Sequence, residues 1–310
     1  MSILIPQISK FDHVALYVSD EFISTLHELQ VGQFIRTSKF MDKILLKFLQ
    51  CTSIPVFNGN DKICLSIAMG IDSIPGVDVL NKSKFRILYL FDAWPAKYDQ
   101  IERIVKHLKI NVLFVSSSQA AIQLQKRFSE TQVCFCPEAC KVEEYEFKPL
   151  ADRTIDVLQL GRRYDVLHAA LMTNSNINYL YQKEAGSLIF PTQDLLKKGF
   201  ADSKISVCFP KSVTHPVESG GLETVTNRYF QSMASKCVLV GKAPAELISI
   251  FGYNPVIELD SNDPLNQVME ILNQIQKYES LVEMNYSTLK KNHTWVNRWM
   301  LIHDTIKIIA

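Results

Sequence analysis

The chain has 310 residues, 33 Lys plus Arg against 32 Asp plus Glu, a net charge of +1 and 47% hydrophobic residues. That length suits two domains, since domains run to about 100–200 residues each, and the balanced charge argues against a phosphate-backbone binder, so no nucleic acid partner is expected. No apolar run reaches the ~18 residues of a membrane span, and the start MSILIPQISKFD lacks the basic flank and apolar core of a signal peptide, so a cytoplasmic location is expected.

In the first half, strands are predicted at His13 to Val18, Ile63 to Met69, Phe85 to Phe91, Val112 to Ser116 and Gln132 to Cys136. Between the first two, Ser38 to Gln50 places Phe40, Ile44, Leu45, Phe48 and Leu49 beside a stripe of Lys39, Lys43 and Lys47. A core helix with a solvated lysine face and an interfacial amphipathic helix both have this pattern. Asp92 follows the third strand and precedes Ala93-Trp94-Pro95. At a strand's carboxyl end, a carboxylate and a ring suit a hydroxyl-bearing ligand; a capping Asp and a core Trp explain the same letters. Ser118 to Phe128 repeats Ala121, Leu124, Gln125 and Phe128 at helical spacing, completing a βαβ unit with its flanking strands. Seven cysteines without regular spacing read as reduced thiols; Cys134, Cys136 and Cys140 lack a nearby His and the spacing of a zinc site.

The charged stretch KVEEYEFKPLADR, Lys141 to Arg153, reads as a linker, so domains are expected over 1–150 and 151–292, followed by a terminal helix over 293–310. Strands follow at Thr154 to Leu160, Leu188 to Phe190, Ile205 to Phe209, Cys237 to Val240 and Val256 to Leu259, with a helix from about Glu223 to Ser235. Beyond Asp263-Pro264 the pattern is helical to the end, and Trp295, Trp299, Ile302 and Ile306 give the last helix one strongly apolar side. Alternating strands and helices predict an α/β fold of two Rossmann-like domains facing a cleft.

Ligands of open parallel sheets bind where strands end and helices begin, so the strand-to-helix loops carry the site candidates. Two of them are unusual. Gly161-Arg162-Arg163 offers two forked guanidiniums suited to phosphate oxygens, and Glu218-Ser219-Gly220-Gly221 offers paired glycines that let backbone amides approach a ligand. A phosphate-containing small molecule between them is the simplest common explanation. GxGxxG after the first strand and GxxxxGK[ST] anywhere are both missing, which argues against dinucleotide and P-loop readings.

FPKSVTHPVESGGLETVTNRYFQSMASKCVLVGKAPAELISIFGYNPVIELD, Phe209 to Asp260, resembles the donor-binding half of GT-B glycosyltransferases of the family 4, or group 1, kind. The strand ending in Pro, the glycine loop, the helix ending in a phrase like E-A-M-A-S-G, the V-x-V-G strand and the P-x-E-L that follows carry the likeness. IDVLQLGRR, Ile155 to Arg163, is similar to that domain's opening strand and phosphate loop. The resemblance implies a nucleoside-diphosphate sugar, UDP or GDP first, held by the C-terminal domain, and a glycan or lipid-linked glycan acceptor presented by the N-terminal one. It implies retaining transfer without a metal or other cofactor, and a terminal helix, 293–310, that crosses back to the first domain. It assigns the donor to Gly161, Arg162, Arg163, His215, Gly220, Gly221, Leu222, Glu223, Thr224, Arg228 and Gln231, and the catalytic carboxylates to Glu218 or Glu223, with Asp92 on the acceptor side. Counting back eight from Gln231 reaches Glu223, whereas local appearance matches Glu218-Ser219-Gly220-Gly221 to the family's E-G-F-G turn. Gln231 replaces the family's ribose-binding Glu, and Arg163 or Arg228 must replace a Lys missing from the phosphate loop. Lipid-linked acceptors give Ser38 to Gln50 a peripheral role on the inner face of a membrane. A nucleotide-sugar epimerase and a catalytically silent partner subunit are the alternatives.

Overall fold

The computed structural model describes residues 3–8, 17–51, 59–184 and 187–309. They form two compact units, Met1–Glu138 with Trp295–Ala310, and Ala139–Thr294.

Unit 1 holds strands β1 (Ile3–Ile8), β2 (Gln33–Thr37), β3 (Asn60–Ala68), β4 (Ser83–Leu90), β5 (Val112–Val115) and β6 (Gln132–Phe135) in the order β2-β1-β3-β4-β5-β6, every pair parallel. Helices α1 (Tyr17–Glu28), α2 (Lys39–Cys51), α3 (Val77–Lys82), α4 (Tyr98–His107) and α5 (Ser118–Gln125) connect them. Unit 2 holds β7 (Ile155–Gln159), β8 (Tyr179–Tyr181), β9 (Ser203–Cys208), β10 (Val238–Gly241) and β11 (Ile257–Glu258) in the parallel order β11-β10-β9-β7-β8. Its helices are α6 (Asp165–Met172), α7 (Gln193–Ala201), α8 (Lys211–Thr214), α9 (Pro216–Ser219), α10 (Asn227–Ala234), α11 (Ala245–Phe251), α12 (Pro264–Asn273) and α13 (Glu279–Asn292). The last helix, α14 (Trp295–Ile309), belongs to unit 1.

Each sheet has one topological switch. In unit 1 the chain leaves β1 for β2 on one side and then crosses to β3 on the other; in unit 2 it leaves β7 for β8 and then crosses to β9. The carboxyl ends of β1/β3 and of β7/β9 are therefore the two places where flanking loops diverge and leave a crevice.

Strands buried on both faces read as continuous apolar runs, and β4 and β5 do so: Ile87 to Leu90 and Val112 to Val115 are fully buried. Above them Trp295 stacks on Phe22 at 5.0 Å and meets Phe91 edge-on, while its indole N–H donates to Glu21 Oε2 at 2.9 Å. Arg298 Nε donates to the Pro137 carbonyl at 2.8 Å. Burial pushes the Cys136 thiol up to about 12, so it stays a protonated core group.

Several sequence expectations change. Most of the His13 to Val18 strand lies outside the described residues, and Val18 itself is in α1. Leu188 to Phe190 forms no strand: the Phe190 ring lies flat over Gly199 of α7, where an added Cβ would come within 2.1 Å of it. The helix expected from Glu223 starts at Asn227. The stretch expected to be a linker belongs to unit 2, because Leu150 joins its core and the buried Arg153 guanidinium donates to the carbonyls of Lys148 and Ser203.

Candidate functional site

The loops at the β7/β9 switch carry most of the donor-side candidates, and the first of them lies against the Arg228 guanidinium. Gly161, at φ +67°, leaves β7 in the left-handed region, and an added Cβ there would lie 2.9 Å from Arg228 Nη2. Only a residue without a side chain lets the guanidinium seat against this loop. Arg228 is the second residue of α10, one turn before Gln231. It makes no ion pair or hydrogen bond among the described residues, and burial pushes its pKa down from the ordinary arginine value. A cation desolvated without a counter-charge is costly, and an anionic ligand offsets that cost.

Further buried polar atoms on the loops of this switch make no hydrogen bond. Ser212 Oγ, Thr214 Oγ1 and His215 Nδ1, on the segment leaving β9, are buried and unbonded; so are Thr226 Oγ1 and both side-chain amide atoms of Asn227, at the entry of α10. Thr226 occupies the N-cap position, yet its hydroxyl makes no cap bond. The first-turn amides of α10 therefore point into this region with the positive end of the helix dipole. Buried orphan polar groups are rare in folded proteins, and these six fall on the segment leaving β9 and at the entry of α10.

The other predicted residues divide. Arg162 is half-buried and Arg163 exposed on the β7 loop. Burial, followed by the field of Arg163, lowers the His168 pKa. Tyr179 donates its phenol proton to Gln159 Oε1, so its oxygen accepts from His168 Nδ1–H at 3.0 Å. Gln231 is 9% exposed on the inner side of α10, and Leu222 and Thr224 are buried in the approach to it. Glu218 stands exposed on α9.

Two assignments take a different form from the expectation. Gly220 and Gly221 both adopt left-handed φ, but their N–H groups are already engaged: Gly220 donates to Val217 O at 3.1 Å, and Gly221 to Ser219 Oγ at 3.2 Å. The glycines terminate α9 and are not free amide donors. Glu223 accepts from Ala245 N at 3.0 Å and lies 3.9 Å from Lys242 Nζ, so its carboxylate holds the first turn of α11. In unit 1, Asp92 follows β4 at φ +51°, exposed.

Ser212, Thr214, Thr226 and Asn227 escaped the sequence reading. The Thr-Asn pair is a plausible helix start in the letters alone, but an apolar-looking run from Leu222 hid it.

No protein-family model matches the chain, and no curated protein matches it in sequence. Solved structures do match in fold. HepE of Anabaena in complex with UDP and glucose superposes with a TM-score of 0.59 at 9% identity over 99% of each chain. An alpha-glucosyltransferase in complex with UDP and a 13-mer DNA gives 0.59 at 12% identity, also over 99% of each chain. TarM gives 0.53 at 11% identity over 84% of this chain and 57% of its own. The fold is therefore the α/β fold of GT-B glycosyltransferases.

Proposed function

We propose that the chain is a glycosyltransferase that moves a sugar from a nucleoside diphosphate to a hydroxyl of a glycan or lipid-linked glycan. The observation that carries this is Arg228, half-buried and without a counter-charge among the described residues, seated against Gly161 at the β7/β9 switch. UDP is the first candidate donor nucleotide, because HepE and the alpha-glucosyltransferase are both solved in complex with it; GDP is the second.

In this reading the diphosphate lies over the first turn of α10, with Arg228 and Arg162 on its oxygens and Arg163 at the outer edge. As the bond from the anomeric carbon to the phosphate oxygen breaks, negative charge grows on the leaving diphosphate. Preorganised cations and helix N–H groups stabilise it most at that moment. These groups supply the positive charge that a metal provides elsewhere, which supports transfer without one. Gln231 hydrogen-bonds the ribose with an amide in place of a carboxylate. Of the two glutamates, Glu218 is the better fit to the donor sugar, since Glu223 already binds Ala245 N. Asp92 is the acceptor-side candidate in unit 1, and retention of configuration is the expected outcome. A cytoplasmic location goes with this chemistry.

The test is thermal unfolding with millimolar UDP, GDP and their sugar conjugates. A ligand at about 100 times its dissociation constant adds roughly 2.7 kcal/mol. We expect a clear rise with one nucleotide, and Arg228→Ala should weaken its binding at least about tenfold, the loss of one charge-assisted contact of about 1.5–3 kcal/mol. No rise with any nucleotide sinks the donor-site reading. A second reading, a silent relative that binds nucleotide without turnover, is favoured by Gln231 alone; sugar transfer by the purified chain excludes it. Consumption of donor without any acceptor identifies an epimerase instead.

A further inference from the structure

We propose that unit 1 carries a separate ligand site, remote from the β1/β3 switch, that takes a free amphipathic carboxylate: its alkyl chain in a cavity beside α14, its carboxylate at Lys307 and His303. The site stands whether or not the chain transfers sugars.

Two local features open the cavity. Helix α1 ends in a Schellman motif: Gln30 takes φ +55°, its N–H donates to His27 O at 3.0 Å, and the Val31 N–H donates to Leu26 O at 2.9 Å. Gly32 follows at φ +68°, so close to β1 that an added Cβ would lie 2.5 Å from the Ile3 carbonyl oxygen. The wall at that point is therefore bare backbone. Among the described residues, the cavity is lined by Ile3 and Val31 on the sheet side and by Trp299 and Ile306 of α14, and it measures about 460 Å³. Small-molecule sites span about 300–1,000 Å³. Because the strands of this sheet run parallel, Ile3 and Gly32 mark its amino-terminal edge. Five residue steps of β1, about 16 Å, separate Ile3 from the carboxyl end of that strand.

Helix α14 supplies more apolar surface than the core of unit 1 uses. Trp295, Arg298, Ile302 and Ile306 are buried. Val296, Trp299, Met300, His303 and Lys307 follow the spacing i, i+3, i+4, i+7 and i+11, and so share the next sector of the helix. Trp299 is only half-buried, its ring 5.5 Å from that of His303 one turn on, and Val296 and Met300 are 41% and 57% exposed. A half-open tryptophan on a cavity, with exposed apolar side chains in the same sector, is a surface for an apolar body.

The polar walls identify the headgroup. They are His303 and Lys307, and none of the described walls is a carboxylate. Asp304, whose Oδ1 lies 3.6 Å from His303 Nδ1, stands outside them. Lys307 makes no ion pair among the described residues, which leaves it the uncompensated charge of the site. A lysine at the end of an apolar slot favours an anion whose remainder is apolar. Trp299 and Lys307 stand eight residues apart, about 12 Å along the helix, which suits a chain of about ten carbons. A sugar is disfavoured, since Ile3, Val31 and Ile306 offer its hydroxyls no partner.

The probe is sodium decanoate, kept below its micelle concentration and titrated into the full chain while the indole N–H signal of Trp299 is followed by NMR. Trp299→Phe assigns that signal against those of Trp94 and Trp295. We expect a saturable shift. Octanoate should bind at least about fivefold more weakly, because each buried CH₂ is worth roughly fourfold. Decanol, which keeps the chain and loses the charge, should also bind at least about fivefold more weakly. Lys307→Glu should weaken decanoate at least about tenfold and leave decanol unchanged. Val31→Phe, which fills the cavity, should weaken both. Unchanged thermal unfolding without ligand shows that the variants fold; if Val31→Phe does not, Met300→Ser at an exposed position takes its place, again with weaker decanoate binding expected. No saturable shift, equal affinity for octanoate and decanoate, or a Lys307→Glu chain that binds decanoate as the wild type does overturns the proposal.

Discussion

His168 is a built-in reporter of the proposed donor site. Burial disfavours its charged form and the Arg163 guanidinium disfavours it further, so its folded pKa lies below the ordinary value of about 6.5. The sign follows from linkage: the folded state prefers the neutral ring, so this contribution to stability is complete above the unfolded pKa and is lost as pH falls through the folded one. We expect the His168 ring proton to titrate by NMR with a midpoint below that of the unfolded chain, and Arg163→Ala to recover part of the difference. A diphosphate bound at Arg163 adds negative charge nearby and should raise the midpoint. A midpoint indifferent to saturating UDP would place the anion away from Arg163. At this scale the sequence was half legible. Two arginines after a glycine stand out in the letters, whereas the partnerless state of Arg228 depends on what does not lie near it in space.

Among the elements, Gly241 bears the tightest constraint. It ends β10 at φ +145°, and a Cβ there would come within 2.0 Å of the Cys208 carbonyl oxygen on β9. Backbone cannot move aside as a side-chain tip can, so Gly241→Ala should destabilise unit 2 by at least about 2 kcal/mol, read as a lower urea midpoint. The loop after β9 then shifts, and UDP binding should weaken with it. The sequence showed most long apolar strands, because burial on both faces writes a continuous run. It hid β1, where Pro6 argues against a strand, β2, whose five residues include none that is fully buried, and β8, only three residues long. It also promised a strand at Leu188 to Phe190, where the Phe190 ring packs on α7 and Leu188 is exposed. The cap chemistry of α10 was equally hidden, since Thr226 stands at the N-cap without making the usual bond.

Across the whole molecule, each unit has its own sheet and core, and α14 supplies part of the first. Trp295 is 1% exposed in unit 1, between Phe22 and Phe91. Trp295→Ala should cost about 3–5 kcal/mol and lower the unfolding transition of unit 1 while leaving UDP stabilisation of unit 2 in place. Calorimetry with and without UDP checks both halves of that statement; a UDP effect lost in this variant would mean that the two units unfold as one. The alternation of strands and helices made the α/β class legible from the letters. Membership of α14 in unit 1 was not readable from periodicity, because an apolar stripe says that a helix is covered and not by what; the expectation that the terminal helix returns to the first domain came from the resemblance, and α14 does belong to unit 1.

That membership sets an order of events during synthesis. A ribosome releases the chain from its first residue onward, and domains fold as units when their last element emerges. Unit 2 lies wholly within Ala139–Thr294 and is complete before α14 has been made. Unit 1, although the earlier of the two in the chain, must wait with the space for Trp295, Ile302 and Ile306 unfilled until α14 has followed unit 2. The unit that begins first is therefore the later of the two to mature, and it is the one that a chaperone has most reason to hold.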